Sequence, residues 1–418
     1  MTRVVVIGAG VAGLTAAIRL ARAGVGVTLV SKGTGGLQLS QGTVDVLGYD
    51  PVRVTQPLQA LAALAATDPK HPYAAIGRES VEAGLAYLVE VVGPDLLAGD
   101  PSRNLNLPTA VGAVRPTCLA QPSMLAGACV DGATFVIVGL RQLKDFPAHL
   151  VAANLVRTVL PDGGRLQARP VVLDLPARDG EIDSSGLTYA RAFDDADYRK
   201  RFVAALRPLL KEGETVGLPA VLGLGDLNAW RDIADKLGHP VFEIPLQPPS
   251  VPGMRLNEAL LSTAKAAGVR FVQGNKVVST RIADGRVAGI TVAQSGADKE
   301  YVADAFLLAT GGFESGALAM DSHGSVTETV FGLPLAGLDA GELVHGDYWG
   351  AQQPLFAVGV SVEASMRPLD EAGQPVYPNL FAAGGILGGA HRWSEKSGDG
   401  IAVGSAVKAA DSIVKELS

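Results

Sequence analysis

The stretch RVVVIGAGVAGLTAAIRLARAG, residues 3–24, constrains the fold more tightly than anything else in the chain. Its β-branched run Val4–Gly8 predicts a central strand of a parallel sheet covered on both faces. Gly8, Gly10 and Gly13 follow. The first permits a tight turn, the second lets backbone approach a phosphate, and the third lets the helix pack on the strand. Residues 12–23 then carry Leu14, Ala17, Ile18 and Ala21 on one side, and Gly24 stands where a helix should stop. VTLVS (27–31) predicts a second strand. The helix start offers unpaired N–H groups and a partial positive charge to an anion, so the unit predicts a nucleotide phosphate site.

The rest of the chain divides by texture. Residues 50–250 are rich in Pro and Asp, with a buried strand expected at TFVIVGL (134–140) and a helix around 146–159. PDGGRLQARP (161–170) and ARDGEIDSSG (177–186) are expected as turns and loops, and 194–213 as a helix with a charged face. The proline cluster IPLQPPSVPG (244–253) marks a crossover. Regular patterning resumes beyond it, with a helix at 254–268, a strand at 269–274 and a hairpin about Ala283-Asp284-Gly285. AFLLATGG (305–312) and NLFAAGG (379–385) are two more strands ending in glycines, and 397–417 is a closing helix.

Bulk properties exclude several classes. A net charge of −7 argues against nucleic-acid binding, which needs a basic face. Cys118 and Cys129 are too few for an ordinary iron–sulfur cluster or a disulfide framework, which suits the cytoplasm. No apolar run reaches the length of a membrane span or resembles a signal peptide, so membrane attachment is expected only through a partner.

The two later glycine strands resemble signatures of flavoproteins with a glutathione-reductase-like nucleotide domain. That resemblance implies cofactor contacts at Thr310, Gly311 and Gly312, at Gly384 and Gly385, and at Gly398, Asp399, Gly400 and Ile401, where a helix N-terminus would aim at the flavin ring. Two departures stand out. Relatives commonly carry an acid where this chain has Gly385. Ser31 and Lys32 stand where an acid usually grips the adenosine ribose. Lys32 is read either as solvated surface or as the mark of a site ending at one phosphate. FMN is therefore expected, with FAD as the alternative. SKGTGGLQLSQGTVDVLG (31–48) is similar to the segment beneath the flavin in fumarate-reductase-like proteins, which adds Ser40, Gln41 and Gly42. None of the six histidines lies between 33 and 48, so the flavin is expected to be non-covalent.

LSQGTVDVLG (39–48), LPTAVGAVRPT (107–117), FVIVGLRQLKDFPAHLVAANL (135–155), ATGGFESGAL (309–318) and NLFAAGGILGG (379–389) together resemble the B subunits of anaerobic glycerol-3-phosphate dehydrogenase over the whole chain. The resemblance implies a complex with two partners, the FAD-bearing A chain and the iron–sulfur C chain of the same enzyme. That complex oxidises sn-glycerol 3-phosphate to dihydroxyacetone phosphate and passes electrons to quinone. This chain would lie in the cytoplasm against the inner face of the membrane, held there by a partner. The other readings are a stand-alone FAD-dependent oxidoreductase and a docking protein that has lost its cofactor.

The expected architecture is α/β: a Rossmann-like FAD/NAD(P)-binding domain with a parallel sheet and β-meander, interrupted by an α+β capping domain. The boundaries expected are 1–52, 250–315 and 374–418 for the flavin domain, and 53–249 with 316–373 for the cap. Candidates for substrate chemistry are His391 and Arg392, just after the late glycines, and His323. A histidine could take an alcohol proton and an arginine could hold a phosphate. Glu328, His345 and Arg115 are weaker candidates, and each of these residues has an alternative reading as ordinary surface.

Overall fold

A computed structural model describes residues 2–339, 341–347 and 350–418. Two parallel sheets organise it. Their strands are β1 (Arg3–Ile7), β2 (Gly26–Ser31), β3 (Thr134–Leu140), β4 (Gln167–Leu173), β5 (Thr215–Pro219), β6 (Val241–Ile244), β7 (Arg270–Gln273), β8 (Ala305–Leu308) and β9 (Leu380–Ala382).

The first sheet has the order β7-β2-β1-β8-β9, all parallel, with Val4 opposite Ala305 and Ile7 opposite Leu308. Val4–Ile7 and Phe306–Leu308 are buried, as expected of strands covered on both faces. The chain leaves β1 toward β2 on one side and returns as β8 on the other. That reversal places a crevice outside the carboxyl ends of β1 and β8, where open α/β sheets bind ligands. Helix Val11–Arg22 lies beside the C-terminal helix Gly398–Leu417, and the Arg19 guanidinium meets Asp411 at 2.6 and 2.8 Å.

A three-stranded antiparallel meander, Val277–Ala283, Arg286–Val292 and Lys299–Tyr301, follows β7. Asp284 and Gly285 form its first turn at φ 50° and 70°, the left-handed pair that a two-residue hairpin demands. The buried Asn379 side chain bonds both the N–H and the carbonyl of Val287, and also the Asp304 carbonyl. This ties the meander to the amino ends of β8 and β9.

By contact density the chain falls into two units. The first is Met1–Gly36, Asp45–Val91 and Ala259–Ser418; the second is Leu37–Val44 and Val92–Glu258. These bounds differ from those expected from sequence texture: 53–91 and 316–373 fall with the nucleotide-type sheet, and 37–44 and 250–258 with the second unit. The second unit has a four-stranded parallel sheet, β6-β5-β3-β4, and an antiparallel ribbon, Leu105–Pro108 with Val114–Thr117. Its core includes Val136, Ile137, Val138, Phe193, Phe202 and Phe242, all 2% exposed or less. Residues 167–170, expected as loop, open strand β4. Pro170 suggested a break, but β4 is an edge strand, where a missing N–H is tolerated.

Candidate functional site

The three glycine-terminated strands meet at the carboxyl edge of the first sheet. Gly8 has φ +118°, and a Cβ there would lie 2.1 Å from the Ala309 carbonyl oxygen. A Cβ on Gly13 would lie 2.0 Å from the Gly8 oxygen. Both positions exclude any side chain, because strand, turn and helix backbones are in contact. Gly10 is different: nothing lies within 4 Å of the place its Cβ would take. The N-terminus of helix Val11–Arg22 is therefore open above Gly10, as a cradle for a phosphate must be.

The later glycines close the edge. Gly384 has φ +79°, and its N–H donates to the Ser405 hydroxyl at 2.9 Å. A Cβ on Gly385 would lie 3.3 Å from the Gly311 Cα and 3.6 Å from the Glu314 Oε1. An acidic side chain at this position would crowd that carboxylate, since Glu314 already stands beside the gap. Its Oε1 accepts the Gly312 N–H at 3.1 Å. Sequence reading missed Glu314 because it sits outside the glycine motif.

Two buried polar atoms at this edge have no partner, the Ser31 Oγ at the end of β2 and the Thr310 Oγ1 after β8; the His391 Nδ1, beyond the late glycines, is also unpartnered. Buried polar groups are normally paired, so orphans on the edge that carries an open glycine turn fit a site shaped for a polar ligand. Lys32 is exposed. The Arg392 guanidinium is half-buried and donates to the carbonyls of Gly385 and, at 3.3 Å, Leu387, bracing the late glycine turn. Burial lowers its pKa, against the pull of Glu314 and Glu395.

The start of the C-terminal helix is engaged within the same unit. The Asp399 carboxylate accepts the Asp45 N–H at 3.1 Å, and the Gly400 N–H donates to the Asp45 carbonyl at 2.8 Å. A Cβ on Gly400 would lie 2.4 Å from the Tyr73 hydroxyl oxygen. The Ile401 N–H returns to the Ser397 carbonyl at 3.0 Å.

Other candidates lie elsewhere. Ser40, Gln41 and Gly42 belong to the second unit, where the Arg115 guanidinium donates to the Gln41 side-chain Oε1 and a Cβ on Gly42 would strike Pro252. His323 is exposed in a turn that the Asp321 carboxylate holds through the N–H groups of His323 and Ser325. The Glu328 carboxylate accepts the N–H groups of Val330, Phe331 and Leu333 at 2.8, 2.7 and 3.4 Å, which anchors the loop that follows it. The Gln353 side chain bonds the His345 main chain at 2.8 and 3.0 Å.

Among the described residues no His, Cys, Asp and Glu are grouped to hold a metal ion, and no helix is long and apolar enough to cross a membrane. Burial pushes the Cys118 thiol up to about 12, so it is protonated and unreactive at neutral pH.

A nucleotide-type parallel sheet with an open glycine turn defines a dinucleotide-binding flavoprotein fold, and the FAD binding domain family model matches residues 3–401. The chain belongs to that family. Within it, the chain belongs with the B subunits of anaerobic glycerol-3-phosphate dehydrogenase. It is 34% identical to the probable B subunit from Halobacterium salinarum over 411 residues, 96% of this chain and 95% of that one. It is 31% identical to the B subunit from Yersinia pestis (99% of this chain, 98% of the other) and 32% identical to that from Pectobacterium atrosepticum over the same shares. Among solved structures, 3-ketosteroid delta1-dehydrogenase from Sterolibacterium denitrificans superposes over 100% of both chains at TM-score 0.48 and 13% identity. The expectation of FMN as the first choice finds no support in these matches, since the family is one of FAD-binding domains.

Proposed function

We propose that this chain is the flavin-bearing component of a glycerol-3-phosphate dehydrogenase complex, and that the alcohol is oxidised at its own flavin. The observation that carries this is the open space above Gly10, with the unpartnered Ser31 and Thr310 atoms at the ends of the two strands that flank β1. FAD is the flavin this reading assigns. Its pyrophosphate would rest on the N-terminus of helix Val11–Arg22, and the buried Ser31 hydroxyl would meet the adenosine ribose in place of an acid. Glu314, beside Gly385, would accept hydrogen bonds from the ribityl hydroxyls. A bound flavin supplies a two-electron acceptor for the hydrogen on the carbinol carbon of sn-glycerol 3-phosphate.

The chain's own residues do the rest. His391 takes the hydroxyl proton at Nδ1, and Arg392 holds the glycine turn and adds positive charge at the edge. Dihydroxyacetone phosphate leaves, and electrons pass through the FAD-bearing A chain and the iron–sulfur C chain toward quinone. Those partners hold the complex at the inner face of the membrane. The naming of the relatives as B subunits supports an assembly of several different chains.

The test is to purify the chain, record its visible spectrum, release the chromophore with acid and identify it. FAD is expected, and anaerobic sn-glycerol 3-phosphate should bleach it. Released FMN would mean a site that ends at one phosphate, and a colourless chain would sink the reading.

A further inference from the structure

A run of polar groups beside the late glycines involves residues that no motif marked. His71 is 2% exposed, and its Nδ1 accepts the Tyr73 N–H at 3.1 Å, capping helix Pro72–Ile76. An accepting Nδ1 carries no proton, so the hydrogen-bond network assigns the ring hydrogen to Nε2. Nε2 lies 3.2 Å from the Glu395 Oε2 and donates to it. The same oxygen receives the Ser397 hydroxyl at 2.7 Å, and Oε1 receives the His391 main-chain N–H at 2.8 Å. Burial would raise the Glu395 carboxyl, but the donors outweigh it and hold the group below the ordinary glutamate value.

The loop before His391 rests on this dyad. A Cβ on Gly389 would lie 2.2 Å from the Lys70 carbonyl oxygen and 3.4 Å from the His71 Cα. The Glu395 carbonyl also accepts the Gly48 N–H at 2.7 Å. His391 thus has its main chain pinned while its Nδ1 is buried without a partner. Burial lowers the His391 pKa, against the pull of the Glu395 charge. The ring is then unprotonated at neutral pH, as a proton acceptor must be.

We propose that His71 is a positioning residue: its Nε2–H fixes the ionised Glu395, which pins His391 so that Nδ1 accepts the hydroxyl proton of the substrate. This deepens the function proposed above and rests on it. In the step, the substrate O–H bond breaks and its proton joins Nδ1. The carbinol hydrogen leaves with its electron pair to the flavin, and a carbonyl forms. The charged group that acts on His391 is Glu395, from its own segment; Arg392 is next to it in the chain and is itself drawn by Glu314 and Glu395.

Two variants separate positioning from scaffolding. His71→Asn keeps a side-chain oxygen to cap the Tyr73 N–H but is too short to reach Glu395. His71→Gln carries an NH2 to the Nε2 position but gives up the cap. The measurements are thermal melting, the rate of anaerobic flavin bleaching by sn-glycerol 3-phosphate, and ¹⁵N-histidine NMR of the full chain. The Asn variant should melt close to the parent yet bleach at least about tenfold more slowly, less than the roughly hundredfold or more that a general base contributes, because His391 is displaced and not removed. The Gln variant should melt lower and keep most of the rate, and NMR should show His71 neutral with its proton on Nε2. A parental rate in the Asn variant, or rates that simply follow melting in both, would overturn the proposal, as would an Nδ1–H tautomer. A parent chain that holds flavin but is not bleached instead overturns the assignment of alcohol oxidation to this chain. The role of His391 falls with it, while the NMR result still decides the His71–Glu395 arrangement.

Discussion

The carboxyl edge of the β7-β2-β1-β8-β9 sheet keeps open space above Gly10, whereas that of the β6-β5-β3-β4 sheet is filled by the protein itself. At the end of β6, Glu243 receives the Ser123 hydroxyl at 2.6 Å, the Leu222 N–H at 2.7 Å and the Arg255 guanidinium at 2.7 Å. After β3, the Gln142 side chain donates to Asp174, just beyond β4, at 2.8 Å. After β5, the N–H groups of Leu224, Gly225 and Asp226 converge on the Asp194 Oδ1 at 2.9, 3.0 and 2.9 Å. Three converging N–H groups make an anion nest, and here the anion is a side chain of the chain itself. At the first sheet the corresponding turn has open space above Gly10, and Ser31 and Thr310 lack partners. A parallel sheet brings donors to its carboxyl edge in either case. The two edges differ in that space is left above the Gly10 turn, whereas an internal carboxylate fills the nest after β5.

The largest expected effect comes from filling the space above Gly10. Gly10→Leu adds a side chain where nothing lies within 4 Å, at a residue with φ −76°, so the chain should fold and melt near its parent. The same side chain would occupy the phosphate position. Flavin affinity should fall about a hundredfold, ~2.7 kcal/mol, read by titrating the apoprotein and following flavin fluorescence. Full retention of flavin would remove the first edge from the account of binding.

How much of this was legible in sequence follows from how local each signal is. β1, its glycine turn and its helix lie within residues 3–22, and the turn chemistry of Asp284-Gly285 is read in two letters. Strand β3 was legible because Phe135–Leu140 is a continuous apolar run. Strand β4 was not, since Arg169 and Pro170 break its pattern and its stability comes from pairing with β3. The site shows the same division. Gly8, Gly10 and Gly13 announce themselves, whereas His71 and Glu395 are 324 residues apart and are joined only by folding. Glu314 was likewise hidden, because its relation to Gly385 is a matter of two loops meeting in space.

Emptying the filled edge should have a smaller effect. Asp194→Ala strips three N–H groups of their acceptor, which costs about 2 kcal/mol of stability, in the range for hydrogen bonds to a charged group. Flavin binding should be unchanged. With flavin bound, so that the cradle above Gly10 is occupied in both, inorganic phosphate should raise the melting temperature of this variant and not of the parent, because only the variant then has a vacant nest. A phosphate response in both, or in neither, would mean that the two edges do not differ in the way described.

The smallest effect tests whether a carboxylate can close a turn of the first unit in the same manner. Glu328 does so with three N–H groups, but it is only 3% exposed. Burial raises its pKa above the ordinary 4.5, and the N–H groups of Phe331, Val330 and Leu333 only partly oppose this. A raised folded value means the native state binds the proton more tightly than the unfolded chain does. The stability this contributes is fully present below 4.5 and is lost as pH rises through the folded value. Glu328→Gln keeps one acceptor oxygen and has no proton to lose. Below 4.5 it should therefore sit within about 1 kcal/mol of the parent in urea unfolding, and above it the difference should move in favour of the variant. Parallel stability curves across that range would show that the three N–H groups fully offset burial, so that Glu328 closes its turn at no cost in charge.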